Sequence, residues 1–160
     1  MTRQTARGGG LEARLASLVA SVDCGDVPPE VRETVRRAFV DTVGVTVAGT
    51  ATAGAERLRR AVERDVGGPL DDAALPATTA ALLYGQAGHA LDYDDLSWGM
   101  DGHPSVVLVP PILALAAETD ATGADATLAY ALGFETACRI AEPVSPDHYE
   151  AGWHATATFG

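Results

Sequence analysis

The sequence predicts an all-α protein, and three observations carry that prediction. Apolar residues recur at intervals of three and four along most of the chain. Gly and Pro gather in short breaks between those stretches. No pair of alternating segments is joined by a hairpin-type turn, and no repeat of about 20–50 residues is present.

Taken in order, LEARLASLVASV places Leu11, Leu15, Leu18, Val19 and Val22 on one helical stripe. DCGDVPPE breaks the pattern, with Pro28 or Pro29 suited to a first helical turn. VRETVRRAFVDTVGVTVAG follows, with Val31, Val35, Phe39, Val43 and Val47 near helical period. The β-branched run Val43, Val45, Thr46, Val47 would suit a strand, but the length of the periodic pattern decides for a helix ending near Gly49. GTATAG is a small-residue turn, and AERLRRAVERDV is a short amphipathic helix with Arg57, Arg60 and Arg64 on one face. Residues 67–75 read as a loop. PATTAALLYGQAGHALDYDD reads as a helix rich in Ala and Gly that packs closely on its neighbours. SWGMDGHP is a further break. SVVLVPPILALAAETDATG is an apolar helix expected to be interrupted at Pro110–Pro111, and TLAYALGFETACRIAEP is a helix stopped at Pro143. DHYEAGWHATATFG is expected to open one more helix, for six or seven in all.

The totals narrow the function. The chain has 160 residues, 47% apolar and 21% charged, which suits one domain with a sizeable core. No apolar run reaches the roughly 18 residues of a membrane helix, and MTRQTARGGG has no apolar stretch behind it to make a secretory signal. The expectation is a disordered leader over residues 1–10 and a cytoplasmic protein with no membrane partner. Eleven basic against 22 acidic residues give a net charge of −11, which argues against a nucleic-acid partner. All the basic residues are Arg, and Lys and Asn are absent. An acid-rich, lysine-free surface suits a salt-rich cytoplasm, and biased codon usage accounts for it equally well. No Schiff-base or P-loop lysine can come from these residues. Cys24 and Cys138 are too far apart for a CxxC pair and too few for an iron–sulfur cluster, and they read as two buried free thiols.

The residues with most chemistry to offer lie in HALDYDD, His89 to Asp95, followed by His103-Pro104-Ser105. Three crowded carboxylates suit acid–base work if one is held protonated; the competing reading is a solvated helix end whose aspartates cap the next element. His103 before Pro104 is held extended at a loop-to-helix junction. A metal site from His89, Asp92, Asp94, Asp95 and His103 is the weaker alternative, because HxxD lacks the support of an HExxH pair. His148 and His154, six apart, would point to different faces of a regular helix. Arg139, alone in an apolar helix, needs a partner, which Glu135 four residues earlier can be; its functional reading is a carboxylate-binding group.

Together and in this order, FVDTVGVTVAG, AALLYGQAGHALDYDD, HPSVVLVPPILALAAE, LGFETACRIAE and HYEAGWHATATFG resemble the MmgE/PrpD family, from about Leu11 to Gly160. The resemblance implies the N-terminal part of a helical domain, in enzymes that also carry a smaller α/β lid domain, absent here. It implies a cofactor-free reaction on a tricarboxylic acid, with no metal. Asp92 and His103 match family active-site positions and His154 matches the His of the GWH motif, so these three are the expected catalytic residues. Asp95, Ser97 and Arg139 are the expected substrate-binding residues, with Ser97 standing in for a Thr that often follows the paired aspartates. The activity implied first is 2-methylcitrate dehydration by acid–base elimination of water. Alternatives are decarboxylation of the cis-aconitate type, or a non-catalytic remnant or subunit. The family's active-site lysines lie beyond this sequence, so the chain is expected to be incomplete, with a homodimer or a separate C-terminal half as partner and apolar surface left uncovered.

Overall fold

Capping chemistry sets most of the helix boundaries. The computed structural model describes residues 10–72 and 74–160, with only the backbone described at Leu11. The elements are α1 (Leu11–Ser21), a 3-10 turn (Cys24–Asp26), α2 (Pro29–Gly49), α3 (Ala53–Val66), α4 (Ala77–His89), α5 (Pro104–Thr119), α6 (Gly123–Ala141), α7 (Asp147–Glu150) and α8 (Ala155–Phe159). Prolines open α2 and α5 at the first helical position, where the missing N–H costs nothing. Thr52 caps α3 by accepting from Ala55 N, and Gly67 ends it in the left-handed region at φ 78°. A reciprocal capping box between Thr122 and Asp125 starts α6.

Among the described residues there is no strand; the nearest approach is an isolated bridge between Ser97 and Gly102. The all-α prediction therefore holds. No helix among the described residues is long and apolar enough to cross a membrane. The leader expected over residues 1–10 lies, apart from Gly10, outside the described residues.

The small residues of α4 do what the sequence led one to expect. This helix lies between α2 and α5, its most extensive neighbours. At Gly49 the α2 backbone comes so close that a Cβ would overlap the carbonyl oxygen of Ala87, and at Gly88 a Cβ would stand 2.9 Å from Thr46 Oγ1 and 3.0 Å from Val106 Cγ2. The core beside this contact is Val35, Val109 and Tyr130, with Phe39, Leu108, Ile112 and Phe134 packed against it. Ala77, Ala80 and Ala114 form a second cluster with Leu75, Ala81 and Tyr84.

Four expectations are corrected, and two apolar stripes prove partly exposed. Helix α5 runs unbroken through Pro110–Pro111; the carbonyl of Val106, which Pro110 cannot bond, faces Gly85 of α4, where even an added Cβ would stay 3.7 Å away. Helix α4 stops at His89 rather than continuing to Asp95, so the aspartates sit on irregular backbone. The last segment is two short helices, because Gly152 turns the chain at φ 91° and His154 is extended. The stripe on α1 is largely exposed at Leu18 and Val19, and the α2 stripe is exposed at Val43 and Val47. Both cysteines are free but only half-buried. Large apolar side chains are uncovered as expected, Trp98 and Val47 among them.

Two glycines of α2 separate close packing from helix propensity. Gly49→Ala should lower stability by at least about 2 kcal/mol, since backbone must move to admit the methyl group. Gly44→Ala, with open space around its position, should raise stability by about 0.5–1 kcal/mol. Urea unfolding of the two variants beside the parent measures both.

Candidate active site

The end of α4 and the start of α5 are joined by a segment held at three points. After His89 the chain turns sharply, with Asp92 in the left-handed region at φ 54° and its N–H donating to His89 O at 3.2 Å. Asp95 then caps α5. One carboxylate oxygen accepts from Ser105 N at 3.0 Å and the other from Ser105 Oγ, while Ser105 Oγ and Tyr130 Oη lie 2.7 Å apart. A carboxylate at a helix N-terminus is favoured by the helix dipole and the free N–H groups there. Burial pushes the Tyr130 phenol above its usual value.

Beyond Asp95 the loop closes on itself. Ser97 and Gly102 exchange backbone hydrogen bonds of 2.9 and 3.3 Å, Met100 is fully enclosed, and Ser145 donates to Asp101 at 3.1 Å. His103 follows, its N–H donating to Thr156 Oγ1 of α8 at 2.8 Å. The fit is tight: a Cβ on Gly102 would lie 2.8 Å from both the N and the Oγ1 of Thr156. Helix α8 is tied to α7 by a hydrogen bond between His148 Nε2 and Thr158 Oγ1 at 2.8 Å.

These supports gather three imidazoles and two carboxylates. His89 Nδ1 donates to both oxygens of Asp94, at 2.9 and 3.1 Å. The Asp94 side chain is 0% exposed, and its Oδ2 is also 3.3 Å from His103 Nδ1. On the other edge of the same ring, His103 Nε2 is 3.8 Å from Oδ1 of Asp92, whose side chain is 81% exposed. The His103 ring centroid lies 4.8 Å from that of His89 and 6.2 Å from that of His154, and Tyr149 flanks His154 at 6.1 Å. The result is a site with a buried carboxylate floor and an open, solvated rim. It can take up and release protons at several adjacent atoms.

The model of the MmgE/PrpD N-terminal domain matches residues 13–160. The chain belongs to the MmgE/PrpD family. Human cis-aconitate decarboxylase is 28% identical over 135 residues, covering 78% of this chain and 28% of the human protein. Cis-aconitate decarboxylase-like protein oryM from Aspergillus oryzae is 25% identical over 174 aligned residues, covering 95% of this chain and 34% of the fungal protein. The chain thus spans about a third or less of these curated relatives. No solved structure matches it.

In this MmgE/PrpD domain, Asp92, His103 and His154 come together although they lie on two separate segments. Asp95 lies at the N-terminus of α5, where both its oxygens accept from Ser105, the capping arrangement that the sequence also offered. Ser97 is likewise occupied, accepting from Gly99 N at 3.2 Å and hydrogen-bonded to the Cys138 thiol, which burial pushes above its ordinary value. Arg139 is exposed rather than buried, and its guanidinium pairs with Glu135 at 2.7 Å and Glu142 at 3.5 Å along its own helix. Those two carboxylates already satisfy its charge.

His89 and Asp94 lie in the same cluster; from sequence they are two of the five ligands of the weaker metal alternative, with Asp94 also one of the three crowded carboxylates. Their five-residue spacing crosses the end of a helix, and no helical or strand periodicity brings such residues together. The ligand atoms of His89, Asp92, Asp94 and His103 all lie within 4.8 Å of one another. Two nitrogens and two oxygens would suit Zn²⁺ by donor type. A tetrahedral shell with bonds of about 2.0–2.1 Å needs edges of only about 3.3 Å, and Asp92 approaches the opposite nitrogen of His103 from the one facing Asp94. The set does not fit one ion without rearrangement.

The contact between His103 and α8 predicts a stability effect. Thr156→Val keeps the shape but leaves the His103 N–H without its acceptor, and should cost about 1–3 kcal/mol. Thermal and urea unfolding measure it, with Thr78→Val on the exposed face of α4 as the comparison.

Proposed function

We propose that this chain carries part of the acid–base site of a lyase that decarboxylates an unsaturated tricarboxylic acid of the cis-aconitate type. The observation that carries the reading is the convergence of His103, Asp92 and His154 on one open rim in a chain of the MmgE/PrpD family. The names of both curated relatives favour decarboxylation over the 2-methylcitrate dehydration expected from the sequence.

In the proposed reaction the bond from carbon to the departing carboxylate breaks and CO₂ leaves. The electron pair stays on the carbon framework, delocalised over the adjacent double bond, and a protonated imidazole of His103 or His154 delivers a proton to carbon. In the dehydration alternative the same groups divide differently: a base removes a proton from carbon beside a carboxylate, and an acid protonates the leaving hydroxide.

Substrate carboxylates require cations to bind them. Among the described residues, His89, His103 and His154 are the groups at the site able to carry positive charge, while Arg36, Arg37, Arg59, Arg60 and Arg139 are paired with acidic side chains. In this reading further cations come from polypeptide outside these 160 residues or from a second chain.

Incubating the protein with cis-aconitate and with 2-methylcitrate, and following products by mass, tests the proposal. Loss of CO₂ from cis-aconitate, reduced about 100-fold or more by His103→Ala, is the expected result. Loss of water from 2-methylcitrate would establish the dehydratase instead. A folded protein that turns over neither substrate would make the chain non-catalytic by itself.

A further inference from the structure

We infer that Asp94 is a positioning residue: it holds a proton on Nδ1 of His103 and so leaves Nε2 as the bare, reactive nitrogen on the open side of the site. The inference deepens the proposed function and rests on it for the statement that His103 handles protons. The tautomer itself is a property of the fold and is measurable without turnover.

Asp94 is the one member of the cluster fully withdrawn from water, with 0% of its side chain exposed. A buried carboxylate needs hydrogen-bond donors around it. His89 Nδ1 is one, donating to both oxygens at 2.9 and 3.1 Å. This bond fixes the plane of the carboxylate and commits the His89 proton. His103 Nδ1 faces the same carboxylate at 3.3 Å from Oδ2.

That nitrogen is itself buried, and no aligned partner completes a hydrogen bond to it. The two neutral tautomers of His103 differ sharply here. With the proton on Nε2, the Nδ1 lone pair would face a carboxylate oxygen in a space closed to water, two electron-rich atoms with nothing between them. With the proton on Nδ1, the proton lies between the two atoms, and a small turn of the ring completes the bond; that ring torsion is soft. Which ring nitrogen carries the proton is set by the partner of the other.

Asp92 cannot set this choice. Its side chain is 81% exposed and stands 3.8 Å from Nε2, so water serves either state of that nitrogen. The consequence is a polarity across the ring. Nδ1 is tethered to the floor, and Nε2 meets whatever enters between Asp92 and His154, as a lone pair when neutral and as an N–H when protonated. Substitution by Leu has a defined effect. Oδ2 of Asp94 is the acceptor that faces both His89 Nδ1, at 2.9 Å, and His103 Nδ1, at 3.3 Å, and Leu removes it, so nothing then holds the proton on Nδ1 of His103.

The test is a long-range proton–nitrogen NMR spectrum of the uniformly ¹⁵N-labelled chain, whose four histidines are assigned by single His→Gln replacements. At a pH above the titration of the ring, wild-type His103 should show a protonated Nδ1 and a bare Nε2. Asp94→Leu should abolish that preference and Asp94→Glu should retain it. With a substrate that the protein turns over, Asp94→Leu should lower kcat by about 100-fold with little change in KM. A wild-type His103 protonated on Nε2, or a pattern unchanged in Asp94→Leu, overturns the inference whatever the activity. A lost preference with unchanged kcat overturns the positioning role. If the wild type by itself turns over no substrate, the spectrum alone decides the tautomer. If Asp94→Leu does not fold, the wild-type spectrum decides alone.

Discussion

Ser105 lies where the hydrophobic core meets the polar site, and much of the local architecture depends on its hydroxyl. It is 1% exposed, donates to Asp95, and shares a hydrogen bond with Tyr130. Tyr130 stands in the cluster with Val35 and Val109, so the chain from core to site runs ring, phenol, hydroxyl, carboxylate. Buried polar links of this kind are rigid when every member is satisfied and costly when one is missing. Through this one the packing of α2, α5 and α6 determines where the segment between α4 and α5 begins its path. Asp94 and the loop to His103 then have little freedom.

The three aspartates of the motif divide the work by environment rather than by chemistry. Asp95 is a helix cap, Asp94 a buried floor, and Asp92 an exposed rim group. One residue type in four positions of sequence thus meets three dielectric surroundings. A carboxylate in water, one at a helix N-terminus and one enclosed by imidazoles respond to protons and to ligands differently.

The helices were largely readable from the sequence because their signals are local. Prolines at Pro29 and Pro104 and the spacing of apolar residues lie within a turn or two of the structure they produce. The misses are where tertiary contacts outweighed local preference. Pro110–Pro111 did not break α5, which packs against α4, α6 and α2. The end of α4 came early, because Asp95 is drawn to the N-terminus of α5. At the site, the motif resemblance picked out Asp92, His103 and His154, and the fold brings their side chains near one another. Asp94 stands out only through its burial, which has no signature in HALDYDD itself, and His89 comes with it as its hydrogen-bond donor. Ser97 and Arg139 meet partners of their own, Gly99 N and two glutamates, that the motif does not announce.

Asp92 adopts a backbone conformation, φ 54°, that L-residues enter only at an energetic cost of about 1–2 kcal/mol, though Asp and Asn tolerate it better than most. Glycine would relieve that cost at once. Asp101 and Asp120 carry the same conformation at φ 56° and 52°, so this chain makes its left-handed turns with aspartate at all three positions, and a glycine at position 92 would trade the one solvated carboxylate of the cluster for a more relaxed backbone.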